Sequence, residues 1–291
     1  MLALLGCAPG IPERRLEARA PLAPGLPVLA PCALVHFEVD ENLSNGAEGL
    51  FRGPWKLAYT TFLIRHPTQG VILVDAAIGD TTAADLDAAP FWLRSSFGAA
   101  RAARPLTALL ADAGVKPEDV TRVLLTHAHW DHTGGLPQLP NAKVVMSNAE
   151  TWILDQKAPG LGMPQHFAHA SIQTLAFKGK AYDGFDSSQD VFGDGSVVAV
   201  PTPGHTQGAT SYFLNSGDGK RWLFVGDAAW VKEGFAEPAP KGRLASLVAD
   251  ENRERAAQTL GRLHAVYETK AATLVTAHDE RTWQDLPRCF R

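Results

Sequence analysis

Residues 124–135 read LLTHAHWDHTGG, and this stretch decides the fold. Val120–Thr126 is an apolar, β-branched run that reads as a buried strand, and Thr133, Gly134 and Gly135 turn the chain sharply after it. Between them His127, His129, Asp131 and His132 occupy six consecutive positions. Three imidazoles and a carboxylate share so small a space most readily around a cation. These are the donor types that zinc and similar divalent metals take. A loop at the end of a strand is also where a rigid scaffold presents functional groups.

The same arrangement recurs downstream. In PTPGHTQG, His205 follows the apolar run 197–200; in WLFVGDAAW, Asp227 follows Trp222–Val225; in TLVTAHDE, His278 follows Thr273–Thr276. Each is a short strand-like run, then a tight turn carrying a side chain able to bind metal. One such histidine would more often be structural, but four such turns in one chain are a strong signal. No cysteine lies near any of them, which argues against a structural zinc cluster.

HAHWDH followed by His205, Asp227 and His278 resembles the metallo-β-lactamase superfamily of binuclear metallohydrolases, over about Tyr59 to His278. The resemblance implies a four-layer αβ/βα sandwich of the α/β class. It implies that His127, His129 and His205 bind one divalent ion and that Asp131, His132 and His278 bind the other. Asp227 would bridge the two. Zinc is the expected metal, with iron, manganese or cobalt as alternatives. GVILVDAAIGD resembles the family's strand and turn that carry a supporting aspartate, here Asp75; the usual glycine two residues later is Ala77. Within the superfamily the layout is most similar to N-acyl-homoserine lactonases and organophosphate-type hydrolases. Those lactonases carry a tyrosine three residues after the bridging aspartate, where this chain has Trp230.

The expected activity is therefore hydrolysis of an ester, lactone or related bond of a small molecule. A hydroxide shared by the two ions would be the nucleophile, and Asp131 would orient it and shuttle its proton. An aryl-ester or organophosphate hydrolase, a mononuclear iron enzyme resembling persulfide dioxygenases, and a non-catalytic metal-binding protein are the alternatives.

Composition suits a globular enzyme. Of 291 residues, 45% are hydrophobic and 20% charged, enough for a substantial core. A net charge of −4 without Lys/Arg runs argues against a nucleic-acid partner. No stretch reaches the roughly 20 apolar residues that span a bilayer. A homodimer is compatible with the sequence. Leu4, Leu5, Gly6 and Cys7 form a lipobox-like run. If that run is real, residues 1–32 are a lipoprotein-like tether and the location is the cell envelope or periplasm. Otherwise they are an N-terminal arm on a cytoplasmic protein. Residues 33–291 form the catalytic domain in either case. Cys32 and Cys289 pair in an oxidising compartment or stay as free buried thiols.

Strands are expected over 33–39, 59–65, 71–74, 120–126 and 143–147, and helices over 99–113, 148–155 and 250–269, the last with Asp250 as N-cap. Residues 158–171, rich in Gly and Pro, read as an irregular lid. His166 and Phe167 of that lid, with Trp230, are the candidate pocket residues; solvated loop histidines are the competing reading for His166 and His169. Leu43–Trp55 is expected to form the opposite rim. Phe91, Trp92 and Phe97 read as core, a pocket wall or a dimer contact.

Overall fold

Alternation of side chains along the strands sorts the apolar residues into separate layers. The computed structural model describes residues 10–16, 18–50, 53–88, 91, 94, 97–155 and 161–289. One sheet runs in chain order: β1 (Cys32–Asn42), β2 (Pro54–His66), β3 (Gly70–Val74), β4 (Val120–Leu124), β5 (Lys143–Ser147) and β6 (Ser171–Leu175). β1–β3 pair antiparallel and β3–β6 parallel. The second sheet has the order β11 (Thr273–Thr276), β10 (Arg221–Gly226), β9 (Thr210–Asn215), β8 (Val197–Pro201) and β7 (Gln189–Asp190).

Because successive residues of a strand face opposite ways, each strand feeds two cores. Ile72, Val74, Leu124 and Val145 point to the space between the sheets, where they meet Ala199, Tyr212, Leu214 and Phe224. Their neighbours Leu73, Val123, Val144 and Met146 point outward and are covered by Leu106, Leu109 and Leu110. On the far side, Val198, Val200, Phe213, Leu223 and Val225 are covered by Leu260, Leu263 and Val266. The result is a helix–sheet–sheet–helix sandwich, the four-layer α/β architecture expected from the sequence.

The helices include α1 (Leu43–Gly46), α2 (Thr82–Ala88), α3 (Leu106–Asp112), α4 (Trp130–Thr133), α5 (Lys232–Ala236), α6 (Arg243–Ala249) and α7 (Arg253–Glu268). Three expected helices come out differently. The helix expected over 99–113 is a 3₁₀ turn (Gly98–Ala102) followed by α3. Pro105, which cannot continue a helix from the preceding turn, sits at the N-cap of α3. The last helix begins later than expected: Asn252 is its N-cap, accepting from the Arg255 amide, and Asp250 is free for another task. The helix expected over 148–155 is a 3₁₀ segment, Asn148–Leu154.

Cys32 and Cys289 form a disulfide. It clamps the C-terminal residues to β1, where Cys289 N–H also donates to Ala33 O and Ala33 N–H to Pro287 O. Described residues before β1 form neither helix nor strand and lie against the second sheet. Ile11 and Leu16 pack on its outer core, Arg19 donates to Ala271 O, and Leu29 N–H donates to Ser216 Oγ. The lipobox-like run at Leu4–Cys7, and Trp92, fall outside the described residues. No helix among the described residues is long and apolar enough to cross a membrane.

Candidate metal centre

Five strands deliver side chains to one place, all from their C-terminal ends. Asp75 follows β3, the HAHWDH turn follows β4, His205 follows β8, Asp227 follows β10 and His278 follows β11. Two glycines allow the close approach. Gly226 has φ +52°, and a Cβ there would lie 2.5 Å from Thr126 Oγ1. Gly204 has φ +141°, and a Cβ would lie 2.3 Å from the Ala256 amide nitrogen, so only glycine lets the His205 turn sit on α7.

Ligating atoms of His127, His129 and His205 lie within 4.8 Å of one another, as do those of Asp131, His132 and His278. Asp227 stands between the two groups. Its Oδ1 is 3.2 Å from His132 Nε2 and 3.0 Å from His278 Nε2. Its Oδ2 is 3.2 Å from His205 Nε2 and 3.9 Å from His127 Nε2. One carboxylate oxygen thus faces each group. Asp227 Oδ1 and His132 Nε2 are buried yet make no geometrically sound hydrogen bond, the signature of atoms placed for a different partner. This set of imidazoles and carboxylates, with orphaned atoms at its centre, fits a pair of divalent cations.

The outer ring nitrogens explain why the inner ones converge. His132 Nδ1 bonds Asp75 Oδ2 at 2.8 Å, His205 Nδ1 bonds Asp250 Oδ1 at 3.0 Å, and His278 Nδ1 bonds Ala58 O at 2.7 Å. His127 Nδ1 reaches Thr126 Oγ1, which itself donates to Asp75. Each such bond fixes a tautomer with the Nε2 lone pair turned inward. Asp75 sits at φ +59°, a conformation aspartate tolerates, and Ala77 at φ +35°, where the resembled pattern has glycine.

Burial and the crowd of neighbouring imidazoles hold His127 and His129 well below the usual histidine range, so both are neutral and ready to bind. Burial opposes charging of His132, but Asp75, Asp227 and Asp131 outweigh it and raise its pKa; at His278, Asp227 and Asp131 do the same. Burial would raise the Asp227 pKa, yet His278 and His132 pull it well below the ordinary carboxylate range. Burial raises Asp131.

Three residues that the sequence did not assign to the site brace this centre. Asp250, expected as a helix cap, instead accepts from His205 Nδ1, from Lys241 Nζ at 2.7 Å and from Ser246 Oγ at 2.7 Å. Lys241 is buried and also donates to Asp227 O at 2.7 Å. Glu150 is buried at the start of the 3₁₀ segment after β5. It accepts from Ala128 N–H at 2.8 Å, Thr206 Oγ at 2.9 Å and Gly208 N–H at 3.0 Å, tying the HAHWDH turn to the His205 turn. Burial lifts its pKa to about 7 against the pull of those donors. No local pattern marks these roles, because the partners that tie them to the centre include Ala128, His205 and Gly208, 22 to 58 residues away from Glu150 or Asp250.

A cavity of about 560 Å³ opens onto Asp131, Asp227 and His278, walled by Phe37, Leu57, Tyr59, Phe97, Trp130 and Trp230 among others. Asn45 and Trp55 line it from the rim expected over Leu43–Trp55. Trp230 Nε1–H donates to Asp227 Oδ2 at 2.7 Å, so the indole is both a wall and a brace for the carboxylate. His166 and Phe167 correct the sequence reading. His166 is buried between Thr133 Oγ1, at 2.8 Å, and Asp85 Oδ2, at 3.1 Å, and Phe167 belongs to the core under the first sheet. The 3₁₀ turn Pro164–Phe167 folds both inward, so neither lines the cavity, whereas Leu161 of the same segment does. His169 is exposed. Phe97 packs against Trp130 at 5.5 Å between ring centres, while Phe91 is exposed.

The chain is similar to known proteins in sequence and in fold. The chain is 30% identical over 178 residues to N-acyl homoserine lactonase AttM of Agrobacterium fabrum, covering 60% of this chain and 64% of that protein. The match thus spans a little under two thirds of that relative. A homoserine lactonase of the same name from Azorhizobium caulinodans is 26% identical over 255 residues, covering 83% and 87% of the two chains. The crystal structure of a quorum-quenching N-acyl homoserine lactone lactonase superposes with a TM-score of 0.66 at 19% identity, over 92% of this chain and 98% of that one. The model of the metallo-β-lactamase superfamily matches residues 55–278, and the chain belongs to that superfamily.

Proposed function

We propose that this chain is a hydrolase that holds two divalent ions, zinc first among them, and opens lactones or cleaves related esters. The observation that carries the reading is Asp227, with one carboxylate oxygen toward each group of ligands at the floor of an apolar cavity. His127, His129 and His205 would hold one ion and Asp131, His132 and His278 the other. Bound there, the ions supply Lewis acidity and an acidified water.

The chain's own residues do the rest. The aromatic wall excludes bulk water and packs the substrate's apolar part, leaving its carbonyl over the floor. Asp131, beside His278 at the cavity floor, accepts a proton from the attacking water and returns it to the departing alkoxide oxygen. Trp230 cannot offer a phenolic hydroxyl to the carbonyl. Its N–H instead holds Asp227, so substrate positioning falls to the walls. The lactonases named above support lactones as the leading substrates, with residues 33–291 as the catalytic unit.

Protein loaded with zinc, assayed on lactones, aryl esters and phosphotriesters, tests this. Lactone turnover that is lost together with metal in Asp227→Ala supports the proposal. Preference for phosphotriesters would assign an organophosphate hydrolase. A single iron with oxygen uptake, or bound metal with no turnover, would overturn it.

A further inference from the structure

One wall of the cavity is a cross-strand ladder. On β1 the residues Phe37, Val39 and Glu41 share a face, and on β2 they sit opposite Tyr59, Leu57 and Trp55 respectively. All six line the cavity. The first rung lies at the metal centre, with the Tyr59 and His278 rings 5.4 Å apart and the Phe37 and Tyr59 rings 6.1 Å apart. The second rung is aliphatic. The third pairs a carboxylate with an indole. At roughly 3.3 Å per strand residue, the third rung stands about 13 Å from the first.

Glu41 is held in place there. Asn45 of α1 donates to its Oε2 at 3.0 Å, and among the described residues no lysine or arginine is paired with it. A half-buried carboxylate at the end of an apolar track, beside an aromatic ring, suits an ammonium group, which gains from both the charge and the π face. The same carboxylate repels an anion.

We propose that Glu41 and Trp55 form a distal subsite for a cationic head, and that preferred substrates carry it on an extended apolar arm. This rests on the hydrolase reading above. At about 1.3 Å per bond of an extended chain, the arm spans about ten bonds from the scissile carbonyl. The subsite sorts substrates by terminal charge and by length, a selectivity distinct from the apolar packing nearer the metals.

Lactones bearing straight arms of about ten atoms, ending in methyl, ammonium or carboxylate, test it alongside a series with three-atom arms. In the native protein kcat/KM for the long ammonium arm should exceed that for the long carboxylate arm by about tenfold, through attraction of one and repulsion of the other. Glu41→Gln should bring that ratio to within about twofold, and Glu41→Lys should invert it. The three-atom series should show no preference in any variant. A native ratio near one, a ratio that survives Glu41→Gln, or equal discrimination by the short arms would overturn the subsite while leaving the hydrolase intact. Absence of turnover of every lactone would overturn the lactonase reading and this one with it.

Discussion

Replacing Asp250 by asparagine tests how far the metal centre depends on its surroundings. Asp250 accepts from three donors, His205 Nδ1, Lys241 Nζ and Ser246 Oγ, at 3.0, 2.7 and 2.7 Å. Both Asp250 and Lys241 are nearly sealed from water, with side chains 3% and 4% exposed. Burial alone would raise the Asp250 pKa, but Lys241 and His205 overcome it and hold the carboxyl far below its usual value. Asp250→Asn keeps the shape and removes the charge. Lys241 is then a buried cation without its counter-ion, a loss of about 3–5 kcal/mol. In a chain of this size that lowers the melting temperature of metal-free protein by roughly 6–15 °C. The amide also holds the His205 tautomer less firmly, which lowers affinity for one ion about 10–100-fold. The ion held by Asp131, His132 and His278 should bind as before, because its outer partners are Asp75 and Ala58. Chelator competition with cobalt-loaded protein reads the two sites as separate phases. Equal weakening of both phases, or of neither, would refute the assignment of Asp250 to His205 alone.

Two further outcomes follow from groups that are not themselves candidate ligands. The Cys32–Cys289 bridge closes a loop of 257 residues, worth about 5 kcal/mol in the chain-entropy account. The double serine variant should melt well below the oxidised protein while still binding metal, and identical melting curves would count against the clamp. Glu150 titrates at about 7 in the folded chain, above its ordinary 4.5, because burial disfavours its charge. The folded state therefore holds the proton more tightly than the unfolded chain, and this residue erodes stability as pH rises from about 4.5 to 7, by up to about 3 kcal/mol. Denaturant titrations of metal-free Glu150→Gln should show a smaller decline than native protein across that window; parallel profiles would contradict the shift.

The residues easiest to read were those whose chemistry is local. HAHWDH compresses four donors into one turn, and each remaining candidate ligand lies within five residues of a β-branched or aromatic run, so strand and turn announce themselves together. The sandwich was legible through the family resemblance, and the structure bears it out, with Leu124 and its neighbours Val123 and Leu125 serving different cores. What stayed hidden depends on distant partners. Asp250 looks like a helix cap because it precedes a helical pattern, yet Asn252 wins that position and frees Asp250 for His205. His166 has the composition of a loop residue around it, but Thr133 and Asp85 draw it inward. Pro105 was visible in the sequence, and its power to split the expected 99–113 helix was the signal missed. The disulfide joins positions 257 residues apart, a proximity that only the fold creates.

Metal content measured on desalted, fully active protein tests the central claim most directly. The account predicts two divalent ions per chain, with turnover rising as the second is added and both lost in Asp227→Ala. Full activity at one ion per chain, or two ions retained in Asp227→Ala, would contradict it.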